Sequence, residues 1–110
     1  MDVTFKDLEA YLYHNYGKRG TETGMFMKLV EEIGEVAEVL NMRAGRKAEG
    51  REDLQDQLAS ELVDVIHYTV AIAAINGIDL STALIEKDKK AAVKYNHDTN
   101  LETFIQDRKK

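Results

Sequence analysis

The chain has 110 residues, enough for one domain and too few for two with separate cores. Twenty Asp and Glu against fifteen Lys and Arg leave a net charge of −5, which argues against a general electrostatic attraction to nucleic acid or an anionic membrane. Cysteine is absent, which excludes disulfides and thiolate ligands, so any metal site must use oxygen or histidine.

In chain order, Met1-Asp2-Val3-Thr4-Phe5-Lys6-Asp7 lacks the charged-then-apolar pattern of a signal peptide, and a cysteine-free chain fits a reducing compartment, so the cytoplasm is expected. No proline occurs and no β-branched run alternates as a half-buried strand does, which makes the expected class all-α. A first helix is expected over about residues 4–16, with Thr4 as N-cap, Asp7 in a capping-box position and Phe5, Leu8 and Leu12 as its apolar stripe; Gly17 and Gly20 end it. A longer second helix is expected from near Thr21 to Met42 or Arg43, burying Phe26, Leu29, Ile33, Val36, Ala37 and Leu40. Residues 43–53, charged and holding Gly45 and Gly50, form the expected loop and the most flexible element.

The third helix is expected over about residues 53–76. Its weakly polar stretch, residues 62–75, contains Asp64 and His67 and is shorter than the ~20 apolar residues that span a bilayer, so it is read as a core helix with no membrane partner. A fourth helix runs from its N-cap Asp79 to about Tyr95; beyond Asn96, Leu101, Phe104 and Ile105 dock a short last turn, and Arg108-Lys109-Lys110 fray. The expected architecture is one four-helix-bundle-like domain over residues 1–110, with its core at about 4–95 and a tail at 96–110. At 44% hydrophobic residues the chain has a core, but so small a domain gains from further burial, and a homo-oligomer is expected.

On the third helix Glu61 lies mid-stripe on an apolar face, because Leu54, Leu58, Val65, Tyr68, Ile72 and Ile75 all fall within roughly 60° of it at 100° per residue. Asp64, three residues on, projects from the same surface. An ionised carboxylate in such a place needs compensation: a shared proton, a basic partner or a hard cation. Only the cation also accounts for the acidic arc of the second helix, Glu31, Glu32 and Glu35 followed by Glu38, which taken alone reads as a solvated face. Antiparallel packing of the two helices brings Glu32 and Glu35 opposite Glu61 and Asp64, a set of oxygen donors suited to Mg2+, with Mn2+ fitting the same ligands. A di-iron bundle would show Glu-x-x-His pairs; here Asp64 stands three before His67, and Glu38 three after Glu35. His67 is read as a core-edge or interface residue.

On the fourth helix Lys87, Lys90 and Lys94 form a basic stripe on the side of Leu80, Leu84 and Ala91. They either snorkel along apolar surface or supplement a metal in holding phosphate. Tyr68, one turn beyond Asp64, either packs with its hydroxyl at the rim or contacts a sugar or base.

The run Leu29-Val30-Glu31-Glu32-Ile33-Gly34-Glu35, then Glu61-Leu62-Val63-Asp64-Val65, then Asn76-Gly77-Ile78-Asp79-Leu80 and Glu86-Lys87 through Lys94-Tyr95, resembles the MazG-like branch of the all-α nucleoside triphosphate pyrophosphohydrolases in its EExxE, ExxD and K…KY pattern. The resemblance covers roughly residues 25–95. It implies hydrolysis of a nucleoside triphosphate between the α- and β-phosphates to the monophosphate and pyrophosphate, by a dimer or tetramer, in nucleotide-pool housekeeping. By that pattern Glu32, Glu35, Glu61 and Asp64 hold magnesium, and Glu31 is a supporting or water-orienting carboxylate. Lys87 and Lys94 help hold the polyphosphate, and Lys90, Tyr68 and Tyr95 join the nucleotide-binding set. Many relatives carry Asn where this chain has Ala91, which bears on base or sugar selectivity. Two other readings stand beside it: a non-catalytic helical dimer that binds nucleotide or protein, and a phosphoribosyl-ATP pyrophosphohydrolase.

Overall fold

The hydroxyl of Thr4 accepts a hydrogen bond from the Asp7 N–H at 3.0 Å while the Asp7 carboxylate accepts from the Thr4 N–H at 3.2 Å, closing the expected capping box. In the computed structural model, which describes residues 1–45 and 54–110, this cap starts helix α1, Phe5–Tyr16. It is followed by α2, Glu22–Arg43, α3, Leu54–Ile75, α4, Leu80–Lys94, and α5, Leu101–Arg108. The described residues contain no strand. The loop expected over residues 43–53, with its flexibility, lies from residue 46 onward outside the described residues.

Threonine, aspartate and asparagine set the other starts: Thr21 accepts from the Gly24 N–H, Asp79 from Thr82 and Asn100 from Thr103. At the end of α3, Gly77 takes φ +68°, which lets the Ile78 N–H reach the Ala73 carbonyl at 3.0 Å and turns the chain sharply toward α4. The expected last turn is a two-turn helix, α5. Its first N–H, at Leu101, donates to the Asp88 carboxylate at 2.6 Å, and Lys89 pairs with Glu102 at 3.0 Å, so α5 is fastened to α4. Arg108, expected to fray, is helical and sits 5.8 Å from the Phe104 ring centre.

Helix α3 is the centre of the fold. Val70, Ala71 and Ala74 are buried against Leu12 of α1 and Met25 of α2, with Leu8, Tyr16, Ile72, Ile75 and Leu80 packed around them. By length and composition α3 could cross a membrane, more than residues 62–75 alone suggested; here it is packed between α1 and α2, with three carboxylates, Asp56, Glu61 and Asp64, along it. Helix α4 packs chiefly on α1 and α5.

The largest departure from expectation is the orientation of α2. Its buried residues are Met25 and Val39, with Leu29 and Val36 half-buried, while Phe26, Ile33, Ala37 and Leu40 are exposed. The apolar arc of α2 is wider than one neighbouring helix covers, and α3 takes the edge of that arc nearest Glu32.

Helices α1 and α4 are tied by Lys6 to Asp79 at 2.9 Å and by the Leu80 N–H to the Glu9 carboxylate at 2.9 Å. The hydrogen bond from Lys6, then those from the Thr82 N–H and hydroxyl, hold the Asp79 carboxyl down from its ordinary 3.8 to about 2. A depressed acid contributes stability that is fully present above its unfolded value and is lost as pH falls through its folded one. The α1–α4 tie is therefore intact above about pH 4 and lost toward pH 2. The expected result is that Asp79→Asn removes part of the wild-type acid unfolding between these limits, measured by circular dichroism, and that salt shrinks the difference because the pair is exposed.

Candidate functional site

Met25 packs among Val70, Ala71 and Ala74, while Glu32, two turns on, meets Glu61 and Asp64, so α2 and α3 run antiparallel. Met25, Glu32 and Val39 are spaced by seven residues and occupy one line of α2 facing α3. Glu32 is thus to α2 what Glu61 is to α3, an acid in the packing seam. One carboxylate oxygen from each of Glu32, Glu61 and Asp64 lies within 4.8 Å of the others, and all three residues are partly buried.

Such proximity of like charges in a partly desolvated seam has the expected electrostatic effect. Desolvation first, then the charge of Asp64, a hydrogen bond to Glu61 and the charge of Glu61 raise the Glu32 carboxyl above its ordinary value, with Lys28 opposing. The cluster holds excess negative charge that a proton relieves in part and a divalent cation relieves more fully. Three oxygen donors this close together could hold a metal ion. His67 does not join them: it faces α1, where its Nε2 is 3.0 Å from the Tyr16 hydroxyl and its ring is edge-on to Tyr16. It is the interface histidine expected.

The remaining predicted residues divide. Glu35 lies one turn beyond Glu32 but is exposed and stands outside the three-carboxylate group. Glu31 is exposed and pairs with Lys28 at 3.2 Å. Tyr68 is half-buried, edge-on to His67 at 4.8 Å between ring centres, and close enough to Lys28 to influence it. On α4, Lys87 lines an apolar groove with Val65, Ile66, Thr69 and Leu84; Lys90 is exposed; Lys94 lies 5.3 Å from the ring centre of the exposed Tyr95. Within one chain, the contacts described for these lysines are with that groove and with Tyr95.

Lys28 is the residue that the sequence reading missed. Its ammonium is raised above its ordinary value chiefly by the hydrogen bond to Glu31 and the charge of Glu31, with Tyr68 and Glu32 adding to it. Its charge therefore acts on Glu32 of the carboxylate cluster as well as on its partner Glu31. Its position four residues before Glu32, one turn along the same helix edge, is the signal that would have found it.

Residues 20–98 match the MazG nucleotide pyrophosphohydrolase domain. The chain is 32% identical over 84 residues to the uncharacterized protein YpjD of Bacillus subtilis (strain 168), covering 73% of this chain and 74% of that protein. Its fold is similar to two crystal structures of iMazG from Vibrio DAT 722. The N-tagged form has a TM-score of 0.61 at 28% identity and is matched over 86% of this chain and 100% of that one. The C-tagged form has a TM-score of 0.57 at 26% identity and is matched over 84% and 99%.

Proposed function

Because the chain belongs to the MazG nucleotide pyrophosphohydrolase family, we propose that it hydrolyses nucleoside or deoxynucleoside triphosphates to the monophosphate and pyrophosphate, with Mg2+ as cofactor, in housekeeping of a cytoplasmic nucleotide pool. The observation that supports this most directly is the convergence of Glu32, Glu61 and Asp64 within 4.8 Å in a helix seam where a hydrophobic residue would pack better.

In this reading Glu32, Glu61 and Asp64 hold the metal, with Glu35 reaching in from the adjoining turn when substrate is present. The bound cation would supply neutralisation of the charge that develops on the phosphates. Glu31 orients the attacking water and accepts its proton, a role its exposure at the edge of the cluster permits. Lys28 exchanges Glu31 for a phosphate oxygen, and Tyr68, steadied by the His67 ring, contacts the sugar or base. No covalent nucleophile is required.

Lys87, Lys90, Lys94 and Tyr95 complete the polyphosphate and nucleotide contacts. The protein acts as a homodimer or homotetramer, as the many half-exposed apolar side chains of the single chain favour. No nucleic acid or membrane partner is assigned.

The test is incubation with a panel of NTPs and dNTPs, with and without Mg2+, and identification of the products. Pyrophosphate and a nucleoside monophosphate, formed only with the metal, are the expected result. Release of no pyrophosphate from any member of the panel would remove the enzyme reading.

A further inference from the structure

Adjacent residues on a helix project about 100° apart and do not face each other. His67 and Tyr68 nevertheless meet edge-on, with ring centres 4.8 Å apart and planes at 73°. Both rings therefore lean toward a common edge of α3. Each residue is only partly buried, so close packing on all sides is not what holds that pose.

The restraint comes from α1. The Tyr16 hydroxyl lies 3.0 Å from Nε2 of His67, a contact between residues 51 apart in sequence, and the two rings meet edge-on with centres 5.7 Å apart and planes at 87°. A hydrogen bond is directional, so it fixes the rotation of an imidazole as apolar contact does not. Tyr16 is itself fixed. It packs against the buried cluster of Leu12, Met25, Val70, Ala71 and Ala74. Its carbonyl accepts from the Arg19 and Gly20 N–H groups, at 3.0 and 2.6 Å, in the turn that ends α1. A Cβ built at Gly20 comes to 3.0 Å from the Tyr16 Cβ and carbonyl oxygen, so glycine there lets the turn close onto Tyr16.

The other end of this series reaches toward the carboxylates. Glu61, Asp64 and Tyr68 are spaced by three and four residues and form one stripe of α3. Glu32 of α2 meets Glu61 and Asp64, and the two helices are antiparallel, so Lys28, one turn before Glu32, comes level with Tyr68, one turn beyond Asp64. Behind the larger effect of Glu31, Tyr68 adds to the rise of the Lys28 ammonium above its ordinary value, in keeping with that placement. Tyr16, His67 and Tyr68 thus connect the end of α1 to the α2–α3 seam. Tyr16 lies outside the residues that carry the family match.

We propose that Tyr16 is a positioning residue for nucleotide binding, which through its hydrogen bond to His67 holds the Tyr68 ring at the angle that the nucleoside part of the substrate meets. The inference rests on the reading of Tyr68 given above and adds α1 to the elements that build the site. Tyr68 meets a part of the substrate that does not react, so its contact is alike in the ground state and the transition state. Such a contact sets KM and leaves kcat alone.

Tyr16→Phe removes the hydroxyl and keeps the ring in the core. With Mg2+ and the best-cleaved member of the NTP and dNTP panel, it should raise KM about fivefold, the worth of one hydrogen bond, and keep kcat within about twofold of wild type. His67→Gln, which takes the ring from beside Tyr68, should do the same, with the helical circular dichroism of both variants retained. In a Tyr68→Ala background Tyr16→Phe should have no further effect on KM, because a residue that acts through Tyr68 then has nothing to act on. A hydroxyl that only braces α1 would lower the melting temperature and leave KM unchanged, and that result would overturn the proposal while leaving the enzyme reading in place. An equal rise in KM in both backgrounds would also overturn it, since Tyr16 would then act independently of Tyr68. So would a fall in kcat at unchanged KM. A wild type that cleaves no member of the panel would overturn the enzyme reading and this inference with it.

Discussion

Glu61→Gln should abolish turnover, by about a thousandfold or more in kcat if the carboxylate holds the metal, while leaving the helical fold intact and its melting temperature unchanged or raised. The two halves of this expectation have one cause. Glu61 shares a partly buried seam with Glu32 and Asp64, oxygens within 4.8 Å of one another, so without a cation each negative charge there opposes folding. An amide keeps the shape and removes one charge. The raised Glu32 carboxyl shows the same opposition: an acid whose folded value lies above its unfolded one costs stability at neutral pH, and that cost is relieved as pH falls through the raised value. Thermal unfolding with and without Mg2+ separates the roles. The wild type should gain melting temperature in a saturable way as the ion binds the native state, more strongly as pH rises and Glu32 loses its proton. The Gln variant should gain little. If that variant unfolds instead, Glu61 is a structural residue and the metal assignment is wrong.

The helices were legible in the sequence because their signals are local. Thr4 and Asp79 are N-caps in the structure as expected, the second helix starts near Thr21, which caps it, and Asn76-Gly77 turns the chain where it was expected to. Glu61 was legible as well, since an acid among Leu58, Val65 and Tyr68 contradicts the pattern around it. The orientation of α2 was not. Its apolar residues cover much of its circumference, so periodicity identifies a helix without saying which of two faces meets α3 and which is left for another partner. That ambiguity made Glu32, taken alone, read as part of a solvated face when it stands in the seam, and made Glu32 and Glu35 look equivalent when, of the two, Glu32 joins the carboxylate group. The seven-residue spacing of Met25, Glu32 and Val39 held the answer, but Phe26, Ile33 and Leu40 have the same spacing and longer side chains on average. Helix α5 was underestimated for a different reason: its anchors, Asp88 and Lys89, lie on α4 and leave no trace in the local pattern of the tail.

Lys28→Ala should change metal binding and nucleotide use in opposite directions. In the protein alone, Lys28 pairs with Glu31 at 3.2 Å and lowers the proton affinity of Glu32, so it is a cation already at the edge of the cluster. A divalent ion entering that cluster meets like charge, and removing it should tighten Mg2+ binding in the absence of nucleotide, read by isothermal titration or by the melting-temperature rise. Substrate reverses the balance, because a triphosphate brings anionic oxygens for which an ammonium is a charge-assisted donor. Losing that donor should lower kcat/KM by roughly 10- to 100-fold. Lys28→Arg should recover part of that activity, since it keeps the charge while changing its reach and geometry. A surface lysine that only serves the Glu31 pair would behave otherwise: its removal would leave kcat/KM unchanged, because an exposed ion pair of this kind contributes little to the fold and nothing to the reaction.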